Sequence, residues 1–272
     1  MRNFLKSSIF TRGGNSGDSN EHMPDRGGGI LAVWGSPGSG KTVTAIKIAK
    51  HLAEKKKRTS LLLCDMTAPM LPCICPPSDI ENERSLGSIL AATKVTEALV
   101  KHNCVIHKKL DYLTIIGMLK GENEYTYPPY SAKQAKELLE SLRRITPYII
   151  IDCGSYIAND ILSAVSLMEN DAVLRLVNCD LKSVNYLSSQ LPLLKDNKWD
   201  TDKQYKVAAN IKKQEASEHV GQVMGSVAFR LPHSNELENQ YLAGDLFKDL
   251  SMNDSKLFRK EIEKICLEVF GC

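Results

Sequence analysis

The stretch Gly35-Ser36-Pro37-Gly38-Ser39-Gly40-Lys41-Thr42 carries the spacing Gly-x-x-x-x-Gly-Lys-Thr. Glycines let a backbone curl tightly and present its N–H groups to an anion. A helix opening at Lys41 aims its N-terminus at the same point. Lys41 offers a cation to β- and γ-phosphates, and Thr42 offers a hydroxyl to Mg²⁺. The pattern therefore assigns phosphate binding to Gly35, Ser36, Gly38, Ser39, Gly40, Lys41, Thr42 and Val43. Two further acids close apolar runs. Asp152 ends Tyr148-Ile149-Ile150-Ile151-Asp152 and has the form of a Walker B aspartate, which holds Mg²⁺, usually through water. Asp65 ends Leu61-Leu62-Leu63-Cys64-Asp65, and there it would face the γ-phosphate and position the attacking water or the metal. Lys41 and Asp65 are thus the catalytic candidates, and Thr42, Asp152 and Asp65 the metal candidates. The competing reading for each acid is a plain strand cap.

These residues need elements to hold them. Ile30–Trp34 is a short apolar run that reads as a strand, directly before the loop. Lys41–Lys55 reads as a helix with Val43, Ile46, Ile48, Ala49 and Leu52 inward, closed by the cations Lys55–Arg58, which suit a helix C-terminus. Strands are expected over 60–65, 113–119, 148–152, 172–177, 205–210 and 222–229. Helices are expected over 86–101, 132–144, 158–168, 181–195, 234–249 and 255–270, with one short helix between the last two strands. Residues 66–82 read as Pro-rich loop and 121–130 as a second loop. Strand–helix alternation of this kind means an α/β fold, a mostly parallel twisted sheet with helices on both faces. Ligands in such sheets sit at the C-terminal ends of the strands.

Composition bounds the rest. The 272 residues, 43% hydrophobic, suffice for one sizeable α/β domain. Residues 1–29, glycine-rich and without apolar period, read as a flexible tail, and 30–272 as one nucleotide-binding domain. A net charge of +3 is too weak to argue for nucleic acid or anionic lipid, and the charges of the last helix balance, so DNA is not an expected partner. No apolar run reaches transmembrane length and the start lacks a signal-peptide core, so a cytoplasmic protein is expected. The eight cysteines are read as reduced thiols. Cys73-Ile74-Cys75 lacks a second ligand pair at zinc spacing.

Across about Ile30–Leu250 the chain resembles the ParA/MinD family of partitioning and positioning ATPases. The carriers are the phosphate loop, LLLCD, SLGSIL (85–90), LTIIGMLKG (113–121), YIIIDCGS (148–155), VNCDLKSV (177–184), VAAN (207–210) and FRLPHSNELENQYLAGDLF (229–247). The long tail and divergent motifs look most like TadZ/CpaE-type members, which help place pilus and secretion machinery. The resemblance implies a P-loop ATPase with ATP/ADP and Mg²⁺ as cofactors. It implies a homodimer with ATP and a protein partner in a positioning, pilus or secretion system. It implies that Asn210 reads the adenine edge, since a carboxamide both donates and accepts, and that Pro232 lies at the base. A strand-end cap is the alternative for Asn210. Through the last helix it also brings in peripheral contact at the inner membrane face, against which stands simple packing of that helix on the sheet.

Four positions depart from the family. Its signature lysine after the first loop glycine is Ser36 here, followed by Pro37. The second aspartate after Asp65 is Thr67, and the proline two residues beyond Asp152 is Gly154. A cation supplied in trans is worth about 10³–10⁵ in rate in related chemistry, so slow turnover is expected. Arg230 and Lys212 are the replacement candidates by proximity to the base segment. A non-hydrolysing scaffold remains the main alternative. Pro37 also suits AAA-type ATPases, but Cys153 stands where their base glutamate belongs. Bacterial tyrosine kinases end in a tyrosine cluster, and no tyrosine follows Tyr241.

Overall fold

A computed structural model describes residues 28–75, 84–194, 204–212 and 225–272. The expected tail (through residue 27), the end of the Pro-rich loop and the short helix after strand 205–210 lie outside the described residues. Among the described residues, eight strands form one sheet: β1 Gly29–Gly35, β2 Thr59–Leu63, β3 Val105–Ile106, β4 Leu113–Ile116, β5 Tyr148–Asp152, β6 Ala172–Asn178, β7 Gln204–Ile211 and β8 Phe229–Pro232. Their order is β3-β4-β2-β5-β1-β6-β7-β8, and every neighbouring pair is parallel except β3 with β4. The helices are α1 Lys41–Glu54, α2 Leu71–Ile74, α3 Leu86–Leu90, α4 Glu97–His102, α5 Ala132–Ile145, α6 Ile161–Met168, α7 Leu181–Gln190, α8 Asn235–Ala243 and α9 Lys256–Phe270.

Successive strand residues point to opposite faces. Leu31 and Val33 of β1 enter a core shared with α1 and α9, while Ile30, Ala32 and Trp34 enter a second core under α3 to α7. A strand buried on both faces must be apolar throughout, which is why β1, β2 and β5 read as unbroken apolar runs. The apolar stripe of α9 (Phe258, Ile262, Ile265, Cys266) is buried in the first core. The stripe offered for membrane contact is therefore spent on the sheet. No helix among the described residues is long and apolar enough to cross a membrane.

Several expected elements are corrected. The helix expected over 86–101 is two, α3 and α4, because Thr96 caps a new start by accepting from Leu99 N–H. The Pro-rich loop contains α2, with Pro72 in its first turn, where a missing N–H costs nothing. The helix expected over 234–249 stops at Ala243, where Gly244 takes φ 72° and turns the chain. The strand expected over 113–119 ends at Ile116, and the last strand is β8, not 222–229. Residues 222–224 are outside the described set. Helix 181–195 is α7 followed by a 3-10 turn over Leu191–Leu194. The antiparallel pair β3–β4 was not expected.

Candidate functional site

The loop leaves the C-terminal end of β1 pressed against β6. A Cβ on Gly35 would lie 1.8 Å from the Leu176 carbonyl oxygen, so only glycine fits there. Ser36 N–H donates to that same carbonyl (3.0 Å). Ser36 is fully buried, and its own carbonyl collects Ser39 N–H (3.2 Å), Ser39 Oγ (2.7 Å) and Lys41 Nζ (3.2 Å). Pro37 and Gly38 form the exposed tip. Gly40 caps α1 in the left-handed region (φ 78°), with no side-chain cap and no acid in the first turn. The first N–H groups of α1 are thus left for an anion, which the helix dipole also favours. Val43 is half-buried in that first turn.

Beneath the loop the predicted residues converge from separate strands. Thr42 Oγ1 donates to Asp152 Oδ2 (2.6 Å), and Lys41 Nζ donates to Ser155 Oγ (2.7 Å). Asp152 is 4% exposed, and its second oxygen, Oδ1, is buried without a hydrogen-bond partner. Burial pushes its carboxyl up to about 6; the Thr42 bond and the Lys41 charge oppose this, and the Asp65 charge adds to it. Burial also lowers the pKa of Lys41, while Asp152 and Asp65 work the other way. A desolvated carboxylate with one free oxygen beside a hydroxyl is an acceptor set short of a cation. That chemistry fits a hard divalent ion such as Mg²⁺, which takes oxygen ligands.

Asp65 reaches the same electrostatic cluster but is partly occupied. Its Oδ1 accepts the N–H groups of Thr67 (2.9 Å) and Ala68 (2.8 Å), so one oxygen shapes its own loop. Ser155, which no local pattern marked, is held from behind: its carbonyl accepts Trp34 Nε1 (3.4 Å) and Tyr186 OH. Asp160 was also missed. It caps α6 by accepting Ser163 N–H (2.9 Å), and Ser163 Oγ in turn accepts Gly154 N–H (2.8 Å). A Cβ at Gly154 would fall 2.5 Å from Asp160 Oδ2, which explains glycine where the resembling family has proline.

A cavity of about 390 Å³ runs from the loop along the first turn of α1 to the ends of β7 and β8. Asn210 and Pro232 line its far end, with Leu237 and Tyr241. Asn210 takes a positive φ (52°) at the register shift between β7 and β8. Its Oδ1 lies 2.8 Å from His233 Nδ1. The first turn of α8 is tied to the segment that precedes α9. Asp254 Oδ2 accepts Asn235 N–H (2.7 Å), and Glu236 accepts Ser251 N–H (2.8 Å), Met252 N–H (3.0 Å) and Ser255 Oγ. Of the two replacement cations, Lys212 lines this cavity, whereas Arg230 is exposed on β8 and is not among the lining residues.

No protein-family model matches the sequence, and no curated protein matches it. Solved structures do match the fold. A ParA family ATPase from Chlorobium tepidum aligns with TM-score 0.72 at 16% identity, over 88% of this chain and 98% of that one. The septum site-determining protein MinD of Pyrococcus horikoshii, complexed with Mg-ADP, aligns with TM-score 0.69 at 15% identity, over 87% and 95%. A putative plasmid partition protein from Borrelia burgdorferi, bound to AMPPNP, gives 0.65 at 17% identity, over 88% and 98%. At these identities the likeness is one of fold, and the fold is that of the ParA/MinD ATPases.

Proposed function

We propose that this chain, folded as the ParA/MinD ATPases are, is an ATP-binding localisation or partitioning factor that hydrolyses ATP slowly and signals by its nucleotide state. The observation that carries the reading is the Thr42–Asp152 pair, with its orphaned Asp152 Oδ1, beneath a glycine-shaped loop open to an anion. In this reading the loop N–H groups and Lys41 hold the β- and γ-phosphates, Lys41 exchanging Ser155 Oγ for phosphate oxygen. Thr42 and Asp152, with Asp65 nearby, hold Mg²⁺, which when bound neutralises phosphate charge. Asn210 and Pro232 receive the adenine.

Slow turnover follows from three features. Ser36 is buried and small where the resembling family carries a lysine that reaches a partner's phosphates. Asp65 spends one oxygen on its own loop, which leaves less of it to orient water. Pro37 brings no N–H to the loop tip. Dimerisation over the nucleotide belongs to the same proposal, as does a protein partner in a positioning system.

The test is ATP binding and turnover by the pure full-length chain, with Lys41→Ala as the control. Micromolar binding lost in the control, with turnover well below one per second, is expected. Turnover of several per second, abolished by the control, refutes the slow part. No binding at millimolar ATP refutes the site. Binding with no turnover at all selects the scaffold reading, which the engaged Asp65 favours.

A further inference from the structure

Lys41 is engaged before any ligand arrives. Its Nζ donates to Ser36 O (3.2 Å) and to Ser155 Oγ (2.7 Å). An ammonium can only donate, so the direction of both bonds is fixed. The two partners differ in kind. Ser36 belongs to the loop that carries Lys41 itself. Ser155 comes from a different segment, 114 residues away, and its half-buried hydroxyl meets the ammonium through oxygen, as a phosphate would.

The fold holds Ser155 in that place. Just before it, Cys153 N–H donates to Val33 O of β1 (3.0 Å) and Gly154 N–H donates to Ser163 Oγ of α6 (2.8 Å). Behind it, Ser155 O accepts the buried Trp34 Nε1 (3.4 Å) and the Tyr186 hydroxyl of α7. With its backbone fixed from both sides, the hydroxyl loses little further freedom in meeting Lys41. An ammonium has three donors. Ser36 O and Ser155 Oγ take two, and one is left for a phosphate oxygen. A diphosphate offers Lys41 its β-phosphate alone, uses that donor and leaves both bonds in place. A triphosphate offers β- and γ-oxygens, and the acceptors then outnumber the donors. Ser36 O is part of the loop that wraps the ligand, so Ser155 is the partner to be given up.

We propose that Ser155 is a positioning residue that holds Lys41 as a stand-in for a γ-phosphate oxygen, so that a nucleoside triphosphate must displace it and a diphosphate need not. The proposal rests on the nucleotide reading given above. Ser155 acts through Lys41 and selects between nucleotide states: it weakens the triphosphate and leaves the diphosphate alone. One hydrogen bond corresponds to about fivefold in affinity. Removing the hydroxyl therefore tightens triphosphate binding, an effect that loss of a merely structural contact does not produce.

Calorimetric titration of the full chain with Mg-ADP and with the magnesium complex of a non-hydrolysable ATP analogue tests this, on the parent, Ser155→Ala and Ser155→Thr. Ser155→Ala is expected to tighten the analogue about fivefold and to change Mg-ADP less than about twofold. Ser155→Thr keeps the hydroxyl and should keep the parent's ratio. A second measurement needs no nucleotide: urea unfolding of the parent, Ser155→Ala, Lys41→Ala and the double variant. Ser155→Ala should lower the midpoint, and that loss should vanish in the Lys41→Ala background. The proposal is overturned by an analogue that Ser155→Ala binds no more tightly than the parent, by equal tightening of both ligands, or by a stability loss that persists without Lys41. A parent that binds neither ligand at millimolar concentration overturns the nucleotide reading, and the proposal with it, even where the two side chains prove coupled.

Discussion

Replacing Asp152 by asparagine removes a charge that the ligand-free protein holds at a cost. The carboxyl rises from 3.8 to about 6, chiefly through burial. A folded state that binds the proton more tightly than the unfolded chain loses stability as pH rises through that window. The cost is therefore absent below the ordinary value and fully present above about 6. A shift of about two pKa units corresponds to about 3 kcal/mol. Most of it falls inside an accessible range, so the stability of Asp152→Asn relative to the parent should improve by about 2–3 kcal/mol between pH 4 and pH 8. Urea unfolding in Mg²⁺-free buffer, run in parallel on both proteins, reads this difference while the other titrating groups cancel. The orphaned Oδ1 becomes an orphaned amide N–H₂ in the variant, a constant offset that does not change the slope. Saturating Mg-ADP should then stabilise the parent more than the variant. A gap that stays flat with pH, or moves toward the parent, refutes the assignment of Asp152 as the desolvated, cation-short acid.

Four other outcomes are expected. Gly35→Ala should cost at least about 3 kcal/mol in denaturant unfolding, because its Cβ has no room against Leu176 O. Gly40→Ala, with open space around the added carbon but φ 78°, should cost only about 1–2 kcal/mol. Burial works against the charge of Glu236, yet donors from Ser255, Ser251 and Met252 outweigh it and hold the carboxyl at about 2. A depressed carboxyl stabilises above its unfolded value and loses that contribution as pH falls, so Glu236→Gln should cost about 2 kcal/mol at pH 7 and less at pH 3 by urea unfolding. Ser131→Ala should cost about 1 kcal/mol of thermal stability, since Ser131 and Gln134 form the capping box that starts α5.

The parts legible in the sequence are those with a local cause. Strands β1, β2 and β5 announce themselves because burial on both faces demands unbroken apolar runs. Helix α5 spans Ala132–Ile145 against the expected 132–144. The phosphate loop, Asp65 and Asp152 follow from motif spacing and from where acids end strands, and the structure brings them to one end of the sheet. What stayed hidden depends on partners distant in the chain. Nothing near Ser155 signals that it meets Lys41, and nothing near His233 signals that it meets Asn210 across the strand end. The break between α3 and α4 was masked by a continuous apolar pattern that a threonine cap overrides. The role of Gly154 became visible only once Asp160 stood beside it.

The two bonds beneath the loop also say something about the order in which the protein comes into being. Thr42 and Asp152 are 110 residues apart, and Lys41 and Ser155 are 114 apart. Closing such separations is slow compared with local helix formation. A chain still being synthesised presents its phosphate loop early, yet lacks Asp152 and Ser155 beneath it until β5 is made and inserted between β2 and β1. Asn210, at the far end of the cavity, arrives later still, with β7. Nascent chains cut short before that point should carry the loop without the pocket. On the proposed function, nucleotide capture then marks completed assembly of the sheet, and a newly made molecule does not compete for ATP until it is whole.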